Sequence, residues 1–174
     1  MSDRDPPPPH TTREVSPAPP AARDPRSARA GVTLAVAHLA VTAFMVGLIW
    51  YVQVVHYPLM AGWPAEDFPR YEAAHRERTG WIVVPVMLTE GLLAAALVVR
   101  RPRGVAVWLP AVGLMALVAL QVSTFFIQVP CHERLAQGWD PATHAWLVES
   151  NWIRTAAWSF RGLLAASIVL RATC

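Results

Sequence analysis

Residues 30–55 read AGVTLAVAHLAVTAFMVGLIWYVQVV, a run without one charged side chain. A helix needs roughly 20 predominantly apolar residues to cross the hydrocarbon core of a bilayer, so this stretch predicts a membrane-crossing helix. It is too long for the apolar region of a secretory signal, and no small-residue cleavage site follows it, so the helix is expected to be retained. Three further apolar runs follow at 81–99, 105–129 and 152–170. Together they predict an all-α fold: a membrane-embedded antiparallel four-helix bundle occupying 30–174.

The composition agrees. Of 174 residues, 54% are hydrophobic and only 16% charged, against about 25% charged in an ordinary soluble domain. That excludes a cytosolic globular domain and a disordered protein. There is no lysine, and all fifteen basic residues are arginine. Because the arginines are scattered among apolar runs, the net charge of +3 does not point to nucleic acid. Residues 1–29 differ from the rest. They hold eight of the sixteen prolines, including Pro6-Pro7-Pro8-Pro9, and bury too little apolar area to offset their ordering entropy. They are expected to form a disordered cytoplasmic tail.

Arginine placement sets the expected orientation. Arg23, Arg26 and Arg29 precede the first helix, Arg100, Arg101 and Arg103 fill the link between the second and third, and Arg171 follows the fourth. With four crossings these share one side, the cytoplasmic side of the bacterial inner membrane, and both termini lie there. The opposite side receives two longer loops, 56–80 and 130–151, in which arginines are balanced or outnumbered by acidic residues. Cys131 and Cys174 fall on opposite sides, too far apart for an intrachain disulfide.

The two halves resemble each other. Gln53, His56, Gly62-Trp63, His75, Arg78-Thr79 and Trp81 recur in order as Gln128, His132, Gly138-Trp139, Asn151, Arg154-Thr155 and Trp158, with one or two single-residue gaps. Both halves run out and back in the same sense, which predicts two helix hairpins related by an axis along the membrane normal. The repeated polar residues are then expected to gather at the outer end. Short helices are expected in the loops. Asp140 is suited to cap one, with Pro141 at its first position, and Phe68, Tyr71, His75 and Arg78 share a face of the other.

Polar residues inside the runs call for partners. Glu90 and Arg161 each lie ten residues from the outer end of their helices. A lone charge at that depth costs about 2.5–3.5 kcal/mol on the insertion scale, which facing each other would relieve. This is either a structural ion pair or a proton-handling carboxylate. Gln121, Thr124 and Gln128 share a helical face, and His38 is read as a hydrogen-bonded structural histidine. Seven of the eight tryptophans, Trp158 among them, cluster toward the outer side, as an interfacial aromatic belt requires.

The chemical candidates are His56, His75, His132, Arg78, Arg154, Asn151 and Glu90. Imidazole suits zinc, copper, iron or haem iron, which makes His56 and His132 candidate metal ligands. The alternative is a cofactor-free pocket in which hydrogen-bonded histidines and the two arginines hold an anionic or phenolic group. No compact metal motif, nucleophilic triad, phosphate loop or dinucleotide fingerprint is present.

At Asn151-Trp152-Ile153-Arg154-Thr155-Ala156-Ala157-Trp158 the chain resembles a family of uncharacterised four-helix bacterial integral membrane proteins. More distantly it is similar to anthrone oxygenase-like proteins, whose last helix opens on an Asn-x-x-Arg-Thr pattern. The resemblance covers 30–172 in architecture and 130–160 in motif. It implies oxidation of polycyclic phenolic substrates by oxygen without a classical cofactor, with roles for His132, Asn151 and Arg154. His132 stands where an asparagine is expected, so the substrate class is open. Three readings follow: a membrane oxidoreductase acting on a small organic substrate, a small transporter or permease component working as a homodimer, and a non-catalytic assembly factor.

Overall fold

The computed structural model describes residues 25–173. All regular structure among them is helical, arranged as four long helices: α1 over Arg26–Met60, α2 over Phe68–Val99, α3 over Trp108–Leu135 and α4 over Pro141–Thr173. Each is long and apolar enough to cross a membrane. Neighbours in sequence pack antiparallel, and α4 returns against α1 to close the ring. The expected all-α four-helix membrane architecture is therefore found.

The helices run well past the apolar runs. α2 begins at Phe68 and α4 at Pro141, so most of the two expected loops is helix continuous with the spans. The connections shrink to residues 61–67 and 136–140. At 1.5 Å per residue, a helix of 32 residues is about 48 Å long, against about 30 Å of hydrocarbon. The surplus projects at one end as a polar-faced extension, which is why hydropathy alone stops short of it. At the opposite end, residues 25–29, expected in the tail, are helical. The rest of the expected tail and Cys174 lie outside the described residues.

Two local irregularities re-aim side chains. In α1, Val52–His56 forms a π turn in which the Tyr57 N–H reaches Val52 O. In α3, Thr124–Gln128 does the same, with the Val129 N–H on Thr124 O. Each turn is followed by a proline at the second position, Pro58 or Pro130. Proline brings no N–H, and its ring collides with the carbonyl four residues back in an α-helix. A single widened turn removes that collision.

The interior has three apolar layers. Tyr57, Met60, Phe68, Cys131, Leu135 and Leu147 fill one end, which we call the histidine end. Met45, Ile49, Met87, Leu120 and Trp158 fill the middle. Ala35, Leu97, Val105, Leu109 and Ile168 fill the arginine end. Outside, Leu88, Leu92, Met115, Phe126 and Leu163 are well exposed, the surface a lipid-facing bundle presents.

The link between α2 and α3 is fixed by close approach. Gly104 has φ of +77°, and a Cβ there would lie 2.9 Å from the Arg171 carbonyl oxygen. Asp140 opens α4 as expected: the Ala142 N–H and the Thr143 hydroxyl donate to its carboxylate at 3.1 and 2.5 Å. These bonds hold its carboxyl below the usual carboxylate range, the Thr143 hydroxyl contributing most.

Candidate functional site

Between the histidine-end and middle layers lies a cavity of about 150 Å³. Met45, Leu48, Ile49, Val52, Val83 and Val129 give it a largely aliphatic wall, and Tyr57, His75, His132 and Arg154 bring the polar chemistry. All four helices contribute.

Tyr57 is the hub. The π turn before it places the phenol inside the bundle, 3% exposed. Its oxygen lies 3.1 Å from His132 Nε2, and His132 Nδ1 lies 2.6 Å from Glu72 Oε1. Glu72 is wholly buried. A carboxylate at Nδ1 holds a proton there, so the Nδ1–H donates to Glu72 and Nε2 accepts from the Tyr57 hydroxyl. The Arg154 guanidinium lines the same cavity as the phenol. His144 Nε2 donates to the Tyr57 carbonyl at 2.9 Å, which ties the end of α1 to α4.

Arg154 is held from behind. Its Nη1 donates to Asn151 Oδ1 at 2.9 Å, and Asn151 Nδ2 donates to Gln53 Oε1 at 2.8 Å. Gln53 Nε2 then donates to the Val148 carbonyl at 3.2 Å. The guanidinium carbon lies 5.2 Å from the centre of the Trp158 ring, a cation–π contact. On the second π turn, Gln128 Nε2 donates to Ser150 Oγ at 3.0 Å.

Of the expected site residues, His132, Arg154 and Asn151 are together in this network, and His75 lines the cavity with Nδ1 3.1 Å from Thr79 Oγ1. His56 is one step removed: its ring stacks on His75 at 4.4 Å between centroids and does not line the cavity. Arg78 departs from expectation. It is exposed and borders a surface groove with Trp63 and Tyr71, because the inward face of α2 runs Phe68, Glu72, His75, Thr79, Val83, with Tyr71 half-buried beside it, and leaves Arg78 outside.

His56 and His132 are not brought together as a ligand pair either. Both ring nitrogens of His132 are engaged by Glu72 and Tyr57. Among the described residues no group of three or more His, Cys, Asp or Glu side chains is arranged to hold a metal ion.

Glu90 lies deeper, away from the cavity. Its carboxylate accepts from Thr42 at 3.0 Å, Arg161 at 2.8 Å and Trp158 Nε1 at 3.2 Å, and Arg161 Nη1 also donates to the Gly113 carbonyl. The expected pairing with Arg161 is therefore present, and both partners are essentially fully buried. Trp158 links this pair to the pocket, so it is an internal wall and not part of an interfacial belt. His38 also differs from expectation: it is buried with neither ring nitrogen hydrogen-bonded.

Sequence reasoning missed Glu72 and Tyr57. No family model, curated protein or solved structure matches the chain.

Proposed function

We propose that this chain is an integral membrane enzyme that removes a proton from a small, largely apolar organic molecule held in the cavity. The observation that carries this reading is Tyr57, hydrogen-bonded to a proton acceptor, His132 Nε2, in a cavity whose wall also holds the positive charge of Arg154. The substrate's acidic proton goes to Tyr57 Oη as the Tyr57 proton moves to His132 Nε2. The imidazolium so formed is stabilised by Glu72, the role a carboxylate plays behind a catalytic histidine. The electron pair stays on the substrate anion, beside Arg154, which stabilises the developing charge.

In an oxidoreductase or oxygenase of this kind, the substrate anion then gives up electrons to dioxygen. The resemblance to anthrone oxygenase-like proteins implies that acceptor and a phenolic substrate class. His75 extends the imidazole surface of the pocket, and His56 stacks behind it. The bundle sits in the bacterial inner membrane with both termini cytoplasmic, and the pocket faces outward. Support for this orientation comes from the arginines Arg26, Arg29, Arg100, Arg101, Arg103 and Arg171 at one end and the acidic residues of 66–77 and 133–149 at the other.

A transport path is less well supported. Met87 and Leu120 pack with Trp158 below the cavity, which gives a closed floor where a path would need polar continuation.

The test compares membranes carrying the native chain with membranes carrying Tyr57→Phe or Arg154→Gln. Oxygen uptake and the organic-soluble compounds of the host are measured at matched protein levels. The reading predicts a product formed only by the native chain. Identical extracts and uptake in all three would contradict it.

A further inference from the structure

We propose that the cleft at the arginine end is a binding site for an anionic phospholipid, with the headgroup phosphate on Arg100, Arg101 and Arg103 and an acyl chain against Leu34 and Ala96. The cleft has a volume of about 510 Å³ and lies between the start of α1 and the end of α2, with Ser27 on its rim.

Its two halves differ in chemistry. The mouth carries three arginines within four residues of link, all exposed. Arg103 is steadied by a 3.2 Å hydrogen bond to Ser27 Oγ. The floor continues along α1 and α2 as Ala30, Leu34 and Ala96, descending toward the apolar layer of Ala35 and Leu97. The cleft keeps its shape because Gly31 lets the α1 backbone close on Pro102, where a Cβ would approach to 3.2 Å.

Among the described residues the charge around the cleft has one sign. No described residue in 25–60, 91–132 or 150–173 is acidic, and Glu90, the carboxylate nearer this end, is already bound to Arg161. A phosphate placed here meets guanidinium groups suited to bidentate recognition and, among the described residues, no competing carboxylate. The position, where an apolar span ends in a basic link, is where lipid headgroups lie. A free phosphate satisfies only the mouth, whereas a phospholipid satisfies both halves.

The experiment measures thermal unfolding of the detergent-purified full chain with dioctanoyl phosphatidylglycerol, dioctanoyl phosphatidylcholine or inorganic phosphate at equal concentration. Phosphatidylglycerol in tenfold excess over its dissociation constant is expected to raise Tm by about 4 °C, with little effect from the other two. Arg100→Gln/Arg101→Gln/Arg103→Gln should abolish that shift. Ala96→Trp, which fills the apolar half and leaves every arginine in place, should abolish it too, and serves if the triple variant does not fold. Equal shifts with phosphatidylcholine or with inorganic phosphate would overturn the proposal. So would a full phosphatidylglycerol shift in Ala96→Trp or in the triple variant.

Discussion

His132 Nδ1 lies 2.6 Å from Glu72 Oε1, joining α3 to α2 across 60 residues of chain inside the bundle. The contact fixes the imidazole tautomer, and through it the direction in which the Tyr57 proton points. A buried carboxylate stripped of its hydrogen-bond donor is costly, at about 3 kcal/mol. His132→Leu should therefore destabilise the protein by that order. Glu72→Gln/His132→Leu should be milder, because no buried carboxylate is left without a donor. Urea unfolding in detergent checks the ordering, and equal losses in the single and double variants would contradict it.

The Glu90–Arg161 pair makes a separate prediction. Glu90→Leu leaves a buried guanidinium with only the Gly113 carbonyl, and should cost about 3–5 kcal/mol. Glu90→Leu/Arg161→Leu should recover most of that. Tm values of the three proteins decide it. If the double variant is no more stable than Glu90→Leu, the cost of the single change lies in packing around Thr42 and Trp158 instead of in charge.

At Gly104 the backbone has positive φ, and the Arg171 carbonyl leaves no space for a Cβ. Gly104→Ala is expected to cost about 1–2 kcal/mol from conformation alone, with a further steric contribution. Gly80→Ala, where nothing lies within 4 Å, should be neutral or slightly stabilising. Comparison of the two Tm values checks this directly.

The first turn of α4 depends on Asp140. Its carboxyl is held below the ordinary range by Thr143 and Ala142, so the cap is fully formed above the unfolded-state value. It is lost as pH falls through the folded-state value. Amide exchange at Ala142, Thr143 and His144 should accelerate in Asp140→Ala, and in the native chain under acid, while the layer around Met45 stays protected. Uniform exchange changes along α4 would contradict a local role.

The bundle was legible in the sequence because membrane crossing leaves long apolar runs. The run containing Glu90 could be paired with that containing Arg161 by depth alone. The helix extensions were not legible from hydropathy, since Glu72, Arg76 and Arg78 give α2 a polar start although no backbone breaker interrupts it. The choice of buried face followed from that. Counting Phe68, Tyr71, His75 and Arg78 as one stripe places Arg78 inside, whereas Phe68, Glu72, His75 and Thr79 share a face equally well, and only packing selects it. Tyr57 was hidden by its neighbour His56. The π turn forced by Pro58 decides which of the two enters the core, and no residue periodicity reports a widened turn. His132, Asn151 and Arg154 were picked out by motif and spacing, and the packing brings them into one network. Arg78 was carried into the site by the same argument, and there the packing overrules it.

The central claim, that Glu72, His132 and Tyr57 form one oriented relay, is tested most directly by nitrogen-15 NMR of the His132 imidazole in the detergent-solubilised chain. The account predicts a neutral ring with its proton on Nδ1 and Nε2 accepting from Tyr57, a pattern that Tyr57→Phe alters at Nε2 while leaving the Nδ1 proton in place. A ring protonated at Nε2 alone, or one whose nitrogens do not respond to Tyr57→Phe, would contradict it.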